Sequence, residues 1–109
     1  MYAIVRKQPF DAAKLAEASE ALAEFDNAHA AQPGYAGYLV VDIGEGRHLT
    51  VTLWKTQQHA AAGRAALGPR VRALLEPLLT GPSEFLGAGE VVAGDLGRKA
   101  GQFRSPVQG

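Results

Sequence analysis

The strongest candidate for a chemical site is an alternating pattern near the middle of the 109-residue chain. From Arg47 to Lys55, one set of alternate positions is apolar, and the other carries His48, Thr50, Thr52 and Trp54. Successive side chains of a strand point to opposite faces, so these four would share one face. Hydroxyl, imidazole and indole groups can donate hydrogen bonds to a bound molecule. The pattern predicts a binding surface, although threonine and a core tryptophan are also ordinary strand residues.

The other histidines offer less, and the chain has no cysteine. His29, His48 and His59 show no metal-ligand spacing, and the lack of cysteine excludes disulfides, thiolate metal sites and thiol nucleophiles. Phosphate-binding glycine loops and serine-nucleophile motifs are also absent. His29 is either a buried boundary residue or, if it faces a cleft, a general base that titrates near neutrality. His59 is expected to be solvated. We predict no metal and no cofactor.

Two helical regions are predicted to position these residues. The first covers residues 11–31, with Asp11 as N-cap, and the second covers 56–67, where Gly68-Pro69 is expected to break or kink it. A further apolar turn continues to about residue 79. The first helix buries one stripe with steps of three and four residues, made of Leu15, Ala18, Leu22, Phe25 and His29.

Four strands are predicted around these helices. Residues 2–7, 35–43 and 47–55 are rich in β-branched and aromatic residues, and a Gly44–Gly46 turn joins the last two. The final strand lies within 84–95, where glycines indicate bulges. The order β-α-β-β-α-β predicts an α+β, ferredoxin-like domain, with a four-stranded antiparallel sheet and helices on one face.

The other face of this sheet needs a cover. Polar residues do not dominate either face of the strands at 35–43 and 47–55. An apolar surface of that size is typical of an interaction site, and a second copy of the chain is the simplest cover. The sequence therefore predicts a homodimer that forms through the sheet faces.

Charge divides the chain into two parts. Residues 1–97 hold 8 basic and 11 acidic side chains, whereas the remainder carries three basic ones and no acid. We predict a domain over residues 1–96 and a flexible basic tail over 97–109. The overall net charge of zero argues against nucleic acid or an anionic membrane as partner. No apolar run approaches the roughly 18 residues of a membrane span. With no export signal and no cysteine, a cytoplasmic protein is expected.

Three local sequences are typical of a known family. They are the opening strand YAIVRK, the Pro33-Gly34-Tyr35 start of the second strand, and Trp54 within LTVTLWKT just before a helix. Over residues 1–96 the chain resembles the dimeric α/β-barrel superfamily and, within it, antibiotic-biosynthesis-monooxygenase-like domains. The superfamily includes cofactor-free oxygenases of aromatic polyketides, haem-degrading enzymes, isomerases and decarboxylases. The resemblance implies the fold and leaves the activity open.

The resemblance also implies site residues. Polyketide oxygenases of this family tend to place an asparagine four residues before the tryptophan, where this chain has Thr50, and an arginine in the following helical region, where it has Arg70 and Arg72. In cofactor-free oxygenation the substrate becomes a carbanion that meets O₂, so a dry pocket and hydrogen-bond donors suffice. Catalytic roles are thus implied for Trp54, Thr50 and Arg72. Substrate contacts are expected from His48, Thr52, His29 and Phe25.

Haem degradation fits the sequence poorly. Enzymes of that branch carry an asparagine on the first strand and an iron-binding histidine in the second helical region. Here the first strand offers Arg6 and Lys7, which we interpret as rim charges, and no histidine follows His59.

Two hypotheses of different classes remain. The chain is either a small cofactor-independent monooxygenase-like enzyme for an aromatic or quinone-like molecule, or a non-catalytic dimeric module that binds a small ligand or a protein. A cavity that touches Trp54, Thr50 and an arginine or histidine favours the enzyme. A helix–sheet interior filled by Leu22, Phe25 and Leu74 favours the module. The substrate, and whether O₂ is used, do not follow from the sequence.

Overall fold

Four antiparallel strands form one sheet in the order β2-β3-β1-β4. They are β1 (Tyr2–Pro9), β2 (Tyr35–Gly44), β3 (Arg47–Trp54) and β4 (Glu84–Glu90). The helices are α1 (Ala12–Ala16), α2 (Ser19–Ala30) and α3 (Gln57–Arg70), followed by a π-helical turn (Val71–Leu75) and a 3₁₀ turn (Glu76–Leu78). The predicted ferredoxin-like β-α-β-β-α-β fold is confirmed.

The computed structural model describes residues 1–95. The predicted basic tail, residues 97–109, lies outside the described residues. Within residues 1–95, no helix combines the length and apolar character that a membrane crossing requires.

The first helical region is interrupted, so the prediction of one continuous helix over 11–31 is wrong. The chain leaves the helix after α1, and the N–H of Ala18 bonds the carbonyl of Leu15 at 3.2 Å, a tighter three-residue step. Ala18 is buried in a cluster with Phe10 and Leu78. Ala18, at the break, fills the space between α1 and α2, and both helices therefore pack onto this cluster.

The second helical region continues past its predicted end. Pro69 lies inside α3, which ends at Arg70 and is followed directly by the π-helical turn. The expected break at Gly68-Pro69 is therefore wrong in position. Proline removes one N–H from the helical ladder. The helix does not end there, and a short distance later its hydrogen bonds change to the wider π-helical spacing.

Helix α3 begins at the predicted N-cap. The Thr56 hydroxyl oxygen accepts the N–H of His59 at 3.1 Å and lies 2.8 Å from Nδ1 of the same histidine. A Cβ on Gly34, which has a φ of +79°, would collide with the His59 ring. His59 is therefore half-buried between the cap and the start of β2, and the expectation that it is solvated is wrong.

One strand end differs from prediction. β1 extends past Lys7 to Pro9, because the proline carbonyl still accepts a hydrogen bond, here from the N–H of Thr80 at 3.0 Å. β4 covers Glu84–Glu90 and lies within the predicted range of residues 84–95. The predicted bulge is present, since the β1–β4 register shifts next to Gly87.

The strand register assigns side chains to the two faces of the sheet. On the helix-covered face, Ile4, Arg6 and Gln8 of β1 lie opposite Thr52, Thr50 and His48 of β3. The other face, called here the outer face, carries Leu39, Val41 and Ile43 of β2 and Leu49 and Val51 of β3. The three β2 side chains are 37%, 47% and 39% exposed, so the sheet keeps an uncovered apolar surface.

Candidate functional site

A cleft of about 1500 Å³ lies between the helices and the sheet. It exceeds the roughly 300–1000 Å³ of ordinary small-ligand sites, so it can take an extended molecule. Seven of the side chains that line it are those predicted from the sequence: Phe25, His29, His48, Thr50, Thr52, Trp54 and Arg72. Arg70, the other arginine considered, is not among the lining residues.

These side chains do not all meet at one point. His48 and Trp54 are six positions apart on β3, which is about 20 Å at the rise of a strand. His48 stacks near Phe10, with 4.9 Å between ring centroids, whereas Trp54 lies 5.5 Å from His29. One small reacting group can therefore contact only one end. The Trp54 end is richer in groups that can act on a ligand.

An aromatic cluster surrounds His29 at this end. The ring centroids of Tyr35, Phe25, Trp54 and Tyr38 lie 4.9, 5.5, 5.5 and 6.2 Å from the imidazole. Helix α2 contributes Phe25 and His29, strand β2 the tyrosines and strand β3 the tryptophan. His29 is 9% exposed, which confirms its predicted place at the end of the buried stripe.

Burial and one nearby carboxylate set the charges of this cluster. Burial lowers the pKa of His29, while the negative charge of Asp26 opposes that shift. The Tyr38 hydroxyl donates to Asp26 Oδ2 at 3.2 Å. Burial, and then the Asp26 charge, raise the pKa of both Tyr35 and Tyr38. At neutral pH the imidazole is therefore uncharged and the tyrosines keep their protons.

Two nitrogen-bearing rings of the cluster remain open to a ligand. Among residues 1–95, neither ring nitrogen of His29 nor Nε1 of Trp54 takes part in a side-chain hydrogen bond. In the same part of the chain, no fully enclosed side-chain nitrogen or oxygen lacks a partner. The ring nitrogens of His29 and Trp54, which make no such bond, are therefore not fully enclosed. Since both residues line the cleft, a bound molecule can reach an uncharged imidazole and an indole donor there.

Trp54 is held by the core as well as facing the cleft. It is 2% exposed and packs with Ala60 and Leu67 of α3. A Cβ on Gly63 would lie 2.7 Å from Cζ3 of the indole and closer still to Cη2. Gly63 thus lets α3 approach the ring.

Gly63→Ala is expected to destabilise the protein by about 1–2 kcal/mol. Overpacking against the indole costs about 1–3 kcal/mol, and the better helix propensity of alanine offsets up to about 1 kcal/mol. Urea denaturation followed by circular dichroism gives the free energy of unfolding.

Gly68→Ala is the matched control on the same helix. Its new Cβ would meet only the Arg72 guanidinium, at 3.6 Å, and alanine before proline cancels most of the propensity gain. We expect a change within about 0.5 kcal/mol. Equal destabilisation of both variants would show that the Trp54 contact does not set the cost.

Arg6 is a cleft residue that the sequence did not predict. The register across the sheet forms one row on the helix-covered face, with Val40 beside Thr50, Thr50 beside Arg6 and Arg6 beside Phe85. The Arg6 guanidinium carbon lies 5.5 Å from the Phe85 ring centroid, and Nη1 donates to Ser83 Oγ at 3.4 Å. The interpretation of Arg6 as a rim charge is wrong. Its alternate spacing with Tyr2 and Ile4, which puts the three side chains on one face of β1, was the signal in the sequence that could have placed it in the cleft.

The neighbouring lysine is not among the residues that line the cleft. Lys7 Nζ lies 3.4 Å from a Glu84 carboxylate oxygen, and both side chains are substantially exposed. Elsewhere within residues 1–95, no group of three or more His, Cys, Asp or Glu side chains is close enough together to hold a metal ion.

The sequence and the structure were compared with those of known proteins. No family model matches the sequence, and no curated protein sequence matches it. Among solved structures, a protein from Nitrosomonas europaea provisionally named an antibiotic biosynthesis monooxygenase superimposes with a TM-score of 0.67 at 18% identity, covering 85% of this chain and 100% of that one. The fold is that of the antibiotic biosynthesis monooxygenases. The predicted resemblance is confirmed at this level.

Two further structures show how varied this monooxygenase fold is. SnoaB, a cofactor-independent oxygenase from Streptomyces nogalater, has a TM-score of 0.67 at 20% identity and covers 85% of this chain and 94% of its own. A second Nitrosomonas europaea protein, of unknown function, has a TM-score of 0.70 at 15% identity and covers 90% of this chain and 95% of its own. Identities this low establish the shared fold alone.

Proposed function

We propose that this chain is a small cofactor-independent monooxygenase that acts on an aromatic or quinone-like molecule bound in the cleft. The observation that carries the proposal is the pair of open ring nitrogens, on an uncharged His29 and on Trp54, inside an aromatic-walled cleft. A flat aromatic ligand would stack in such a cluster, and both nitrogens could reach its polar edge. SnoaB, which has the same monooxygenase fold, is a cofactor-independent oxygenase, and this supports the reaction class.

The proposed reaction converts a methylene group and O₂ into a carbonyl group and water. His29, uncharged at neutral pH, takes a proton from an activated methylene next to a hydroxyl-bearing ring. The carbanion passes electrons to O₂ and forms a C–O bond, and the resulting peroxide anion takes the proton back from His29 to become a hydroperoxide. Loss of the second C–H proton and of hydroxide, together one water, leaves a carbonyl. One oxygen atom ends in the product and the other in water. The indole N–H of Trp54, at the His29 end of the cleft, is the donor for the enolate oxygen. Thr50 and Arg72 line the same cleft and would contact other polar groups of the substrate.

The alternative, a non-catalytic binding module, has less support. It expects Leu22, Phe25 and Leu74 to fill the space between helices and sheet. Instead Leu22 and Phe25 line a cleft of about 1500 Å³. A binding role without turnover remains one outcome of the test that follows.

Oxygen uptake tests the proposal directly. Purified protein treated with a chelator is mixed with a panel of hydroquinones and ring-activated methylene compounds, while an oxygen electrode records consumption. The expected result is uptake well above the spontaneous rate, with one atom of labelled O₂ in a carbonyl product. Ligand binding without uptake across the panel would favour the module.

The single tryptophan provides a separate binding test. Because the sequence has only Trp54, all intrinsic tryptophan fluorescence comes from the cleft wall. A stacking ligand is expected to quench this emission and to raise the melting temperature by several degrees at saturation. In Trp54→Phe we expect the same ligand to bind about tenfold more weakly, because the indole N–H and part of the stacking surface are lost. An unchanged thermal shift in that variant would remove Trp54 from the site.

We further propose that a second copy of the chain covers the outer face. Leu39, Val41 and Ile43 are each more than a third exposed, and they continue into the β3 side chains Leu49 and Val51. A two-fold axis would place this apolar patch against itself, which buries it in both protomers at once. The helix-covered face, with its cleft, would stay free for ligand.

A further inference from the structure

Two of the arginines that line the cleft have no acidic partner within residues 1–95. Arg6 projects from β1 and Arg64 from α3, and both line the cleft. Within residues 1–95 the ion pairs join the N-terminus to Glu90, Lys7 to Glu84 and Arg47 to Glu45, so neither guanidinium is paired there. Of the lining residues, Asp26 and Glu76 are the acids. Asp26 accepts from Tyr38 at the other end.

Phe85 borders both arginines. Arg6 lies over its ring at 5.5 Å, and Arg64 and Phe85 together line a smaller cavity of about 180 Å³ next to the main cleft. Arg64 is exposed and lies within one helical turn of the buried Ala60 and Leu67 on α3. Burial, and then the positive charge of Arg64, lower the pKa of Arg6. Both positive side chains thus lie on the part of the cleft wall that Phe85 borders.

We infer that Arg6 and Arg64 form the binding site for a carboxylate carried by the aromatic ligand of the cleft. Two forked donors can grip the oxygens of one carboxylate, and the anion removes the repulsion between them. The Ser83 hydroxyl, which already contacts Arg6, is a further donor at this point. Phe85 on the same row gives the attached ring an apolar wall.

The position of this pair defines the orientation of the ligand. Arg6 lies beside Thr50, four positions along β3 from Trp54, and that is about 13 Å at the rise of a strand. A ligand anchored by its carboxylate at Arg6 and Arg64 would extend its rings toward His29 and Trp54. This inference refines the proposed function, since it names the anionic group of the substrate, but it requires binding and not turnover.

The probe is 2-naphthoate, compared with the uncharged 2-naphthamide and with 2-naphthyl phosphate, on the full chain. Binding is followed by Trp54 quenching and by ligand-observed NMR. Wild-type protein is expected to bind naphthoate at least tenfold more tightly than the amide, and added salt should weaken only the charged ligands.

Arg6→Gln and Arg64→Gln are each expected to weaken naphthoate binding about 10- to 100-fold and to leave the amide unchanged. Lys7→Gln and Arg70→Gln are matched controls, since they remove a cation from the same strand and the same helix outside the cleft lining. Arg6→Lys keeps the charge without the fork and should fall between wild type and Arg6→Gln. Circular dichroism checks that each variant is folded.

Several results would overturn the inference. These are equal affinity for acid and amide in wild type, no binding of either at millimolar concentration, tighter binding of the phosphate than of the carboxylate, or losses as large in the control variants. Failure of the oxygenase proposal looks different. Naphthoate would then bind with the expected arginine dependence, while no aromatic acid or hydroquinone supports oxygen uptake.

Discussion

Val41→Asp is expected to convert the proposed dimer into a monomer. Val41 lies on the outer face and is 47% exposed in the single chain, so in the proposed dimer it would be buried. A two-fold interface receives the new carboxylate twice, once from each protomer. Each buried, unpaired charge costs several kcal/mol, and together they should raise the dimer dissociation constant by at least about 1000-fold.

Val40→Asp is the matched control for this experiment. The two valines are neighbours on edge strand β2, their exposures are 47% and 48%, and aspartate lowers the strand propensity equally at both positions. They differ in face, because Val40 lines the cleft. We therefore expect Val40→Asp to stay dimeric.

Sedimentation equilibrium over a micromolar concentration range measures both variants. A monomeric wild type would contradict the proposed dimer itself. Dissociation caused by Val40→Asp and not by Val41→Asp would place the interface on the helix-covered face. Circular dichroism shows whether either variant has unfolded, and this separates unfolding from dissociation of a folded chain.

Short-range patterns carried much of the fold and part of the site. Alternation along β3 placed His48, Thr50, Thr52 and Trp54 on one face, and helical spacing placed Phe25 and His29 beside them. Those rules work because backbone geometry alone decides which side chains share a face. The existence of a cleft, by contrast, depends on how far the helices stand from the sheet.

The missed features depend on contacts between distant segments. Ala18 breaks the first helix only because Phe10 and Leu78 surround it. Arg6 belongs to the cleft because β1 pairs with β3 and β4. Arg64 also lines the cleft, from α3, but the many small residues of that helix leave no clear apolar periodicity that would predict which face is buried. A charge on a short strand next to a lysine resembles a surface charge until its pairing partners are known.

His29→Gln is expected to reduce turnover of a substrate found in the oxygen-uptake panel by about 10²–10⁴-fold, the usual contribution of a general base. Glutamine keeps hydrogen-bonding capacity and polarity, so KM should change little while kcat falls. His48→Gln is the matched control. It removes a histidine from the same cleft at the end remote from Trp54, and we expect less than a threefold effect on kcat.

The pH profile separates a catalytic His29 from one that only packs. With its pKa lowered by burial, wild-type His29 loses its basic form as the pH falls through that lowered value, and the rate falls with it. Asp26 on α2 faces this imidazole, as do Tyr35 and Tyr38 on β2 and Trp54 on β3, and none of the tyrosines or the tryptophan titrates in this range. In His29→Gln, the residual rate should lose this acidic limb. A limb retained at the same pH would assign it to another group.

Stability gives the same titration without any substrate. The unfolded chain binds the His29 proton near pH 6.5, above the lowered pKa of the folded state. Between the two values the unfolded state holds more protons, so the free energy of unfolding is at its full value above about pH 6.5 and falls as the pH drops through the folded-state pKa. His29→Gln should show a shallower acid loss than wild type. Parallel curves for wild type and His29→Gln would show that the imidazole is not desolvated as the cluster requires.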